Sequence, residues 1–179
     1  MSERLSHSIS PGIAVGLIRD AVANGYGVSW SLCGGSMYPM SRPDDRATIE
    51  HVGIKDVRCG DVVLFGVQNR MVVHRVVGYG VRGQSRRLLT MGDATLRLDA
   101  PVGEEQLLGR VICIERGERT IDLTTNGWRV LSWCIARYLL VASWLRKKGA
   151  TLGLRGRALH LFVRALTLPE RALFKVLGF

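Results

Sequence analysis

Residues 61–79, DVVLFGVQNRMVVHRVVGY, set two runs of valine, leucine, phenylalanine and methionine on either side of Gln68-Asn69. Each run is short and rich in β-branched side chains, which suit a pleated, half-buried surface better than a helix. Gln68-Asn69 falls where the chain can reverse, so the stretch predicts a β-hairpin. The same texture extends outward on both sides. Val28–Cys33, Leu88–Met91 and Leu108–Leu123 are further β-rich runs punctuated by glycine, and Gly117-Glu118 supplies a second turn. Such spacing predicts a compact, mostly antiparallel β domain.

Two segments depart from this pattern. Ser10-Pro11 provides an N-cap and a first-turn proline, and Ile13, Leu17, Ile18, Ala21 and Val22 recur at helical spacing until Gly25. After Asn126-Gly127 the composition turns to Trp, Leu, Arg and Val with helical periodicity. Val130–Leu145 is apolar apart from Arg137 and two serines, and as a helix it would extend about 24 Å, short of a ~30 Å hydrocarbon core. Further on, Arg157, His160, Arg164, Thr167, Arg171 and Lys175 oppose Leu161, Phe162, Leu166, Leu173 and Val176 as a basic amphipathic face, interrupted near Pro169. The expected organisation is a β domain over residues 1–127 with a short N-terminal helix, and a helical extension over residues 128–179.

Charge divides the same way. The chain of 179 residues has a net charge of +10. Residues 1–127 hold 15 basic against 14 acidic side chains, whereas residues 128–179 hold 10 basic residues and one acid, Glu170. The basic character belongs to the extension. Cys33, Cys59, Cys113 and Cys134 lie too far apart for metal or redox spacing and read as buried or free thiols. The opening MSERLSHSIS lacks the basic start and apolar run of a secretory signal, which makes a cytoplasmic setting the expectation.

Chemistry concentrates in three places. Gly34-Gly35-Ser36-Met37-Tyr38-Pro39 places a serine in a glycine-rich turn, where its hydroxyl can act as nucleophile and its own N–H as an oxyanion donor. Read alone it is equally an ordinary Gly/Ser/Pro loop. Met71–Val77 holds His74 among apolar residues, and imidazole can accept a serine proton and return it to a leaving amine. A lone strand histidine is more often a hydrogen-bonded core residue. Asp93 and Asp99 follow, and either could orient the imidazole; Asp93, after Gly92, also suits a turn.

The order and wording of four blocks resemble the signal peptidase I family, including its histidine-dependent branch. They are Gly35-Ser36-Met37-Tyr38-Pro39, Gly60-Asp61-Val62-Val63-Leu64-Phe65, Val73-His74-Arg75-Val76-Val77, and Thr90-Met91-Gly92-Asp93 with Asp99 six residues on. The resemblance covers about Gly35 to Val111. It implies a signal-peptidase/LexA-like β fold and a serine endopeptidase that removes a signal or leader peptide. Ser36 would be nucleophile, His74 base and Asp99 the orienting carboxylate, with Asp93 holding local structure nearby. Three features depart from the family: Gly34 stands where a serine commonly helps hold the oxyanion, Met91 stands where a lysine is common, and the N-terminal membrane anchor of most relatives is not evident.

Two other readings compete. A LexA-like self-processing protein shares the fold, but its DNA-binding domain does not fit into some thirty residues ahead of Gly34, and its base is a lysine. A non-catalytic module could hold nucleic acid or a membrane through the basic extension. Trp128, Trp133 and Trp144 amid aliphatic residues suit a membrane interface or a docking partner better than phosphate chains, while packing of the helices on the β domain is the plain structural alternative. The expectation is therefore a peptidase without metal or organic cofactor, acting on a precursor peptide or protein, and peripheral to the membrane through residues 128–179.

Overall fold

A computed structural model of the chain describes residues 11–24, 27–68 and 70–151. Helix α1 (Pro11–Ala23) is followed by strands β1 (Val28–Ser31), β2 (Arg46–Glu50), β3 (Val62–Val67), β4 (Arg70–Arg82), β5 (Ser85–Met91), β6 (Leu107–Arg116) and β7 (Arg119–Asp122), and by helix α2 (Asn126–Thr151). The fold is thus mainly β with a helix at each end. Ser10 as cap, Gly25 as stop, Asn69 of the first turn, and the amphipathic face from Arg157 to Lys175 lie outside the described residues.

All pairings are antiparallel, in the order β1-β2-β6-β3-β4-β5, with β7 also on β6. Val67 pairs with Arg70 and Arg116 with Arg119, so Gln68-Asn69 and Gly117-Glu118 are two-residue connections. Strand β2 has no clear signal in the sequence. It is five residues long with charged ends, and only Ala47 and Ile49 turn inward. Its β identity comes from pairing on both sides, with β1 and β6, not from local preference.

Alternation along the strands separates two apolar clusters. Val62 and Leu64 join one with Val77, Ile114, α1 and α2; Val63 and Phe65 join the other with Val76, Leu88, Val102 and Leu107. Ile18 and Val22 of α1 enter the first cluster. So do Trp128, Ile135, Ala136, Leu139 and Ala142 of α2. The change of composition near residue 127 therefore marks the start of a helix whose inner face shares the β domain's core. Gly60 shows how closely they fit: a Cβ there would lie 2.8 Å from the backbone N of Trp133.

Candidate active site

Ser36 sits in the long connection between β1 and β2, and both ends of that connection are tied down. The Leu32 N–H donates to the Asp45 carbonyl at 2.8 Å, and the Asp44 N–H to the Leu32 carbonyl at 2.9 Å. The buried Asp45 carboxylate accepts from the Arg42 N–H at 2.8 Å and from the Arg116 guanidinium at 2.7 Å, while Arg116 also donates to the Met40 carbonyl at 3.0 Å. Met37 and Met40 are buried beneath the turn. A serine in a loop is thereby held by a sheet-borne arginine and an apolar anchor rather than left to move with solvent.

His74 comes from the middle of β4, paired across to Val63, with the Phe65 ring edge-on at a centroid distance of 6.2 Å. Its Nε2 lies 3.1 Å from Ser36 Oγ, and its Nδ1 lies 2.6 Å from Asp99 Oδ2. The Thr90 hydroxyl donates to the same Asp99 oxygen at 2.8 Å, and the Asp99 N–H donates to the Thr90 carbonyl at 3.0 Å. Ser36, His74 and Asp99 thus form a continuous chain of hydrogen-bonding groups. Three separate segments supply them: the β1–β2 connection, β4, and the stretch after β5.

Gly92 closes the site from below. A Cβ at this position would come within 2.7 Å of the Ser36 carbonyl oxygen and 2.9 Å of His74 Nε2. Only glycine lets the chain pass that close. Two residues on, the Ala94 N–H donates to the Ser36 carbonyl at 2.8 Å. The 92–94 segment therefore fixes the Ser36 backbone while leaving its hydroxyl facing the imidazole.

Asp93 is not part of this chain. It is fully buried, and both its oxygens accept from Arg75, at 2.8 Å from Nε and 2.6 Å from Nη2. Arg75 is also fully buried and donates further to the Gly60 carbonyl at 3.2 Å and to the Ser132 hydroxyl of α2 at 2.6 Å. The bidentate pair anchors the 92–94 segment from the core side. Of the four residues expected at a site, three meet in one cluster and the fourth braces the segment beneath them.

Thr90 and Arg75 carry structural work that sequence reading left unassigned. Arg75 did leave a signal: an arginine alternating with buried valines must be paired within the core. Thr90 left none, because its role depends on where Asp99 returns to the sheet.

The cluster opens onto a groove of about 310 Å³ walled by Trp30, Leu32, Leu64, Met71 and Val73, with Cys33 at its rim beside Ser36. Among the described residues no group of His, Cys, Asp and Glu is placed to hold a metal ion. The four cysteines are free thiols. Scans against protein-family models and against curated proteins return no match.

Proposed function

We propose that the protein is a serine endopeptidase resembling signal peptidase I, cleaving a signal or leader peptide from a precursor by acyl-enzyme chemistry. The observation that carries this reading is the Ser36–His74–Asp99 chain, with contacts of 3.1 and 2.6 Å, at the wall of an open groove with apolar side chains along it. Metal-free acyl transfer needs a nucleophile, a base in contact with it, and a group that fixes the base's tautomer. Asp99 accepting the Nδ1–H leaves the Nε2 lone pair directed at Ser36 Oγ.

In the reaction Ser36 Oγ attacks the scissile carbonyl carbon as its proton passes to His74 Nε2, forming an imidazolium beside the Asp99 carboxylate. The tetrahedral intermediate collapses when His74 returns that proton to the leaving amine, which departs with a free N-terminus. A water then repeats the sequence on the Ser36 ester and releases the carboxylate product. The Ser36 N–H donates to no group among the described residues, so it is available to the oxyanion. Gly34 adds no side-chain donor. The precursor would lie extended beside β1, the terminal strand of the sheet, with apolar side chains directed into the groove.

A fluorophosphonate probe tests the assignment without knowledge of the precursor. It should label Ser36 in the native chain, and Ser36→Ala should remove the label while far-UV dichroism and thermal unfolding stay the same. Labelling of the alanine variant at the native level, or a folded native chain that takes no label, would overturn the peptidase reading.

A further inference from the structure

Helix α2 has two apolar faces, and the core covers only one. Away from the core, Val130, Trp133, Arg137, Val141, Trp144 and Lys148 follow one another at intervals of three or four residues and form a single line along the helix. The four apolar members are 65%, 46%, 57% and 56% exposed. Each tryptophan carries the cation four residues on: Arg137 lies 5.2 Å from the Trp133 ring centroid and Lys148 5.8 Å from that of Trp144. The 26 residues of α2 contain no Asp or Glu. Single exposed apolar residues are ordinary, but four large apolar side chains aligned on one helix face, with Arg137 and Lys148 set among them, make a binding surface.

At its first turn the line borders a groove of about 490 Å³ between α2 and the sheet, where Arg58, Arg110 and Arg129 stand beside Val62, Leu123 and Trp133. Arg110 is paired with Glu50 and Asp61. Arg58 and Arg129 form no ion pair among the described residues. Asp61, paired with Arg110, is the acid lining this groove, so Arg58 and Arg129 bring an excess of positive charge against the apolar line.

We propose that this face of α2 docks on an anionic lipid membrane. Trp133 and Trp144 sit at the headgroup level, Val130 and Val141 enter the acyl boundary, and Arg58, Arg129, Arg137 and Lys148 meet lipid phosphates. Among the described residues no helix is long and apolar enough to cross a membrane. The inner face of α2 is held in the core, so the outer face would meet the membrane with the helix in the interface plane. Charge selects the occupant. A second copy would set the same cations face to face, and residues 152–179, with five basic side chains against Glu170, carry the same sign. A nucleic acid would answer the cations and leave the apolar line in water. The proposal goes beyond the peptidase reading and can be tested in the Ser36→Ala chain.

The test is co-sedimentation of the full chain with vesicles of phosphatidylcholine, with and without phosphatidylglycerol, together with quenching of tryptophan fluorescence by brominated acyl chains. Binding should require phosphatidylglycerol and weaken with salt. Trp133→Ser with Trp144→Ser should lower binding about tenfold or more and remove most of the quenching. Arg137→Gln with Lys148→Gln should lower it about tenfold. These positions are exposed or half-exposed, so each variant should still unfold cooperatively with at most a modest loss of stability, which certifies it. Equal binding by native chain and tryptophan variant would move the contact elsewhere and overturn the proposal. Equal binding to neutral vesicles would do the same, as would duplex DNA binding in place of vesicle binding.

Discussion

His74 and Arg75 are consecutive on β4, and the pleat of the strand sends them to opposite faces of the sheet. His74 meets Ser36 and Asp99 at the wall of an open groove, while Arg75 meets Asp93, Gly60 and Ser132 with no exposed surface. Both residues are held by a carboxylate from the segment after β5. They differ in what remains unsatisfied. The imidazole keeps one nitrogen for the serine proton, which makes it a chemical group. The guanidinium spends its donors on fixed acceptors, which makes it a clamp. One strand thus carries the reacting group and its scaffold side by side, so the imidazole is positioned by a sheet rather than a loop.

That contrast predicts opposite failures for neighbouring substitutions. His74→Ala should lower peptide cleavage by about three orders of magnitude or more while the chain still unfolds cooperatively near the native temperature. Arg75→Met should instead cost about 3–5 kcal/mol of stability, because the Asp93 carboxylate stays buried with no partner. Adding Asp93→Asn to Arg75→Met should recover part of that loss by removing the stranded charge. Urea titration with a parallel cleavage assay separates the two outcomes. An Arg75→Met chain as stable as the native one would deny the clamp, and a fully active His74→Ala chain would reassign the base.

A further step along the same network reaches α2. Ser132 is the helix's direct hydrogen bond to Arg75, and a hydrogen bond to a buried charged group contributes about 1.5–3 kcal/mol. Ser132→Ala should therefore destabilise by roughly that amount, less than Arg75→Met, because the guanidinium retains Asp93 and Gly60. Cleavage should fall only modestly at temperatures where the variant is folded. A loss of cleavage as large as that of His74→Ala would mean that α2 bears on the reacting groups directly.

The contrast also explains what could be read in advance. Periodicity places the β3–β4 hairpin, the β6–β7 hairpin and both helices, because each has several residues repeating at one spacing. Ser36, His74 and Asp99 are recoverable as residue types in a known order. Their contacts are a matter of tertiary return paths: Asp99 reaches His74 only because β5 pairs with β4 and the chain comes back past Thr90. Strand β2, with two inward residues, exists through its neighbours. The change of composition at residue 127 is conspicuous, yet composition cannot say that Trp128 and Leu139 fill the same core as Val77 and Ile114. Surface and core helices share an apolar stripe, and only the partner distinguishes them.

The smallest expected effect uses two thiols as reporters of the two faces. Cys33 is exposed at the rim of the Ser36 groove, whereas Cys59 is half-buried on the Arg75 side with its Sγ 3.5 Å from the Val77 carbonyl. Burial pushes the Cys59 thiol up from its ordinary value, and the nearby Arg137 and Arg75 charges offset this only in part. Its lower exposure makes Cys59 the slower of the two to alkylate, and its raised pKa adds to this by reducing its thiolate. Raising the pH should speed modification of Cys59 as its thiolate fraction grows. A bulky maleimide on Cys33 should obstruct the groove and slow peptide cleavage, and Cys33→Ser should abolish that sensitivity without changing the uninhibited rate. Mass spectrometry of the modified chain reads both sites in one experiment. Faster modification of Cys59 than of Cys33 would show that the Cys59 thiol is the more accessible and reactive of the two, and the use of the thiols to separate the two faces would then fail.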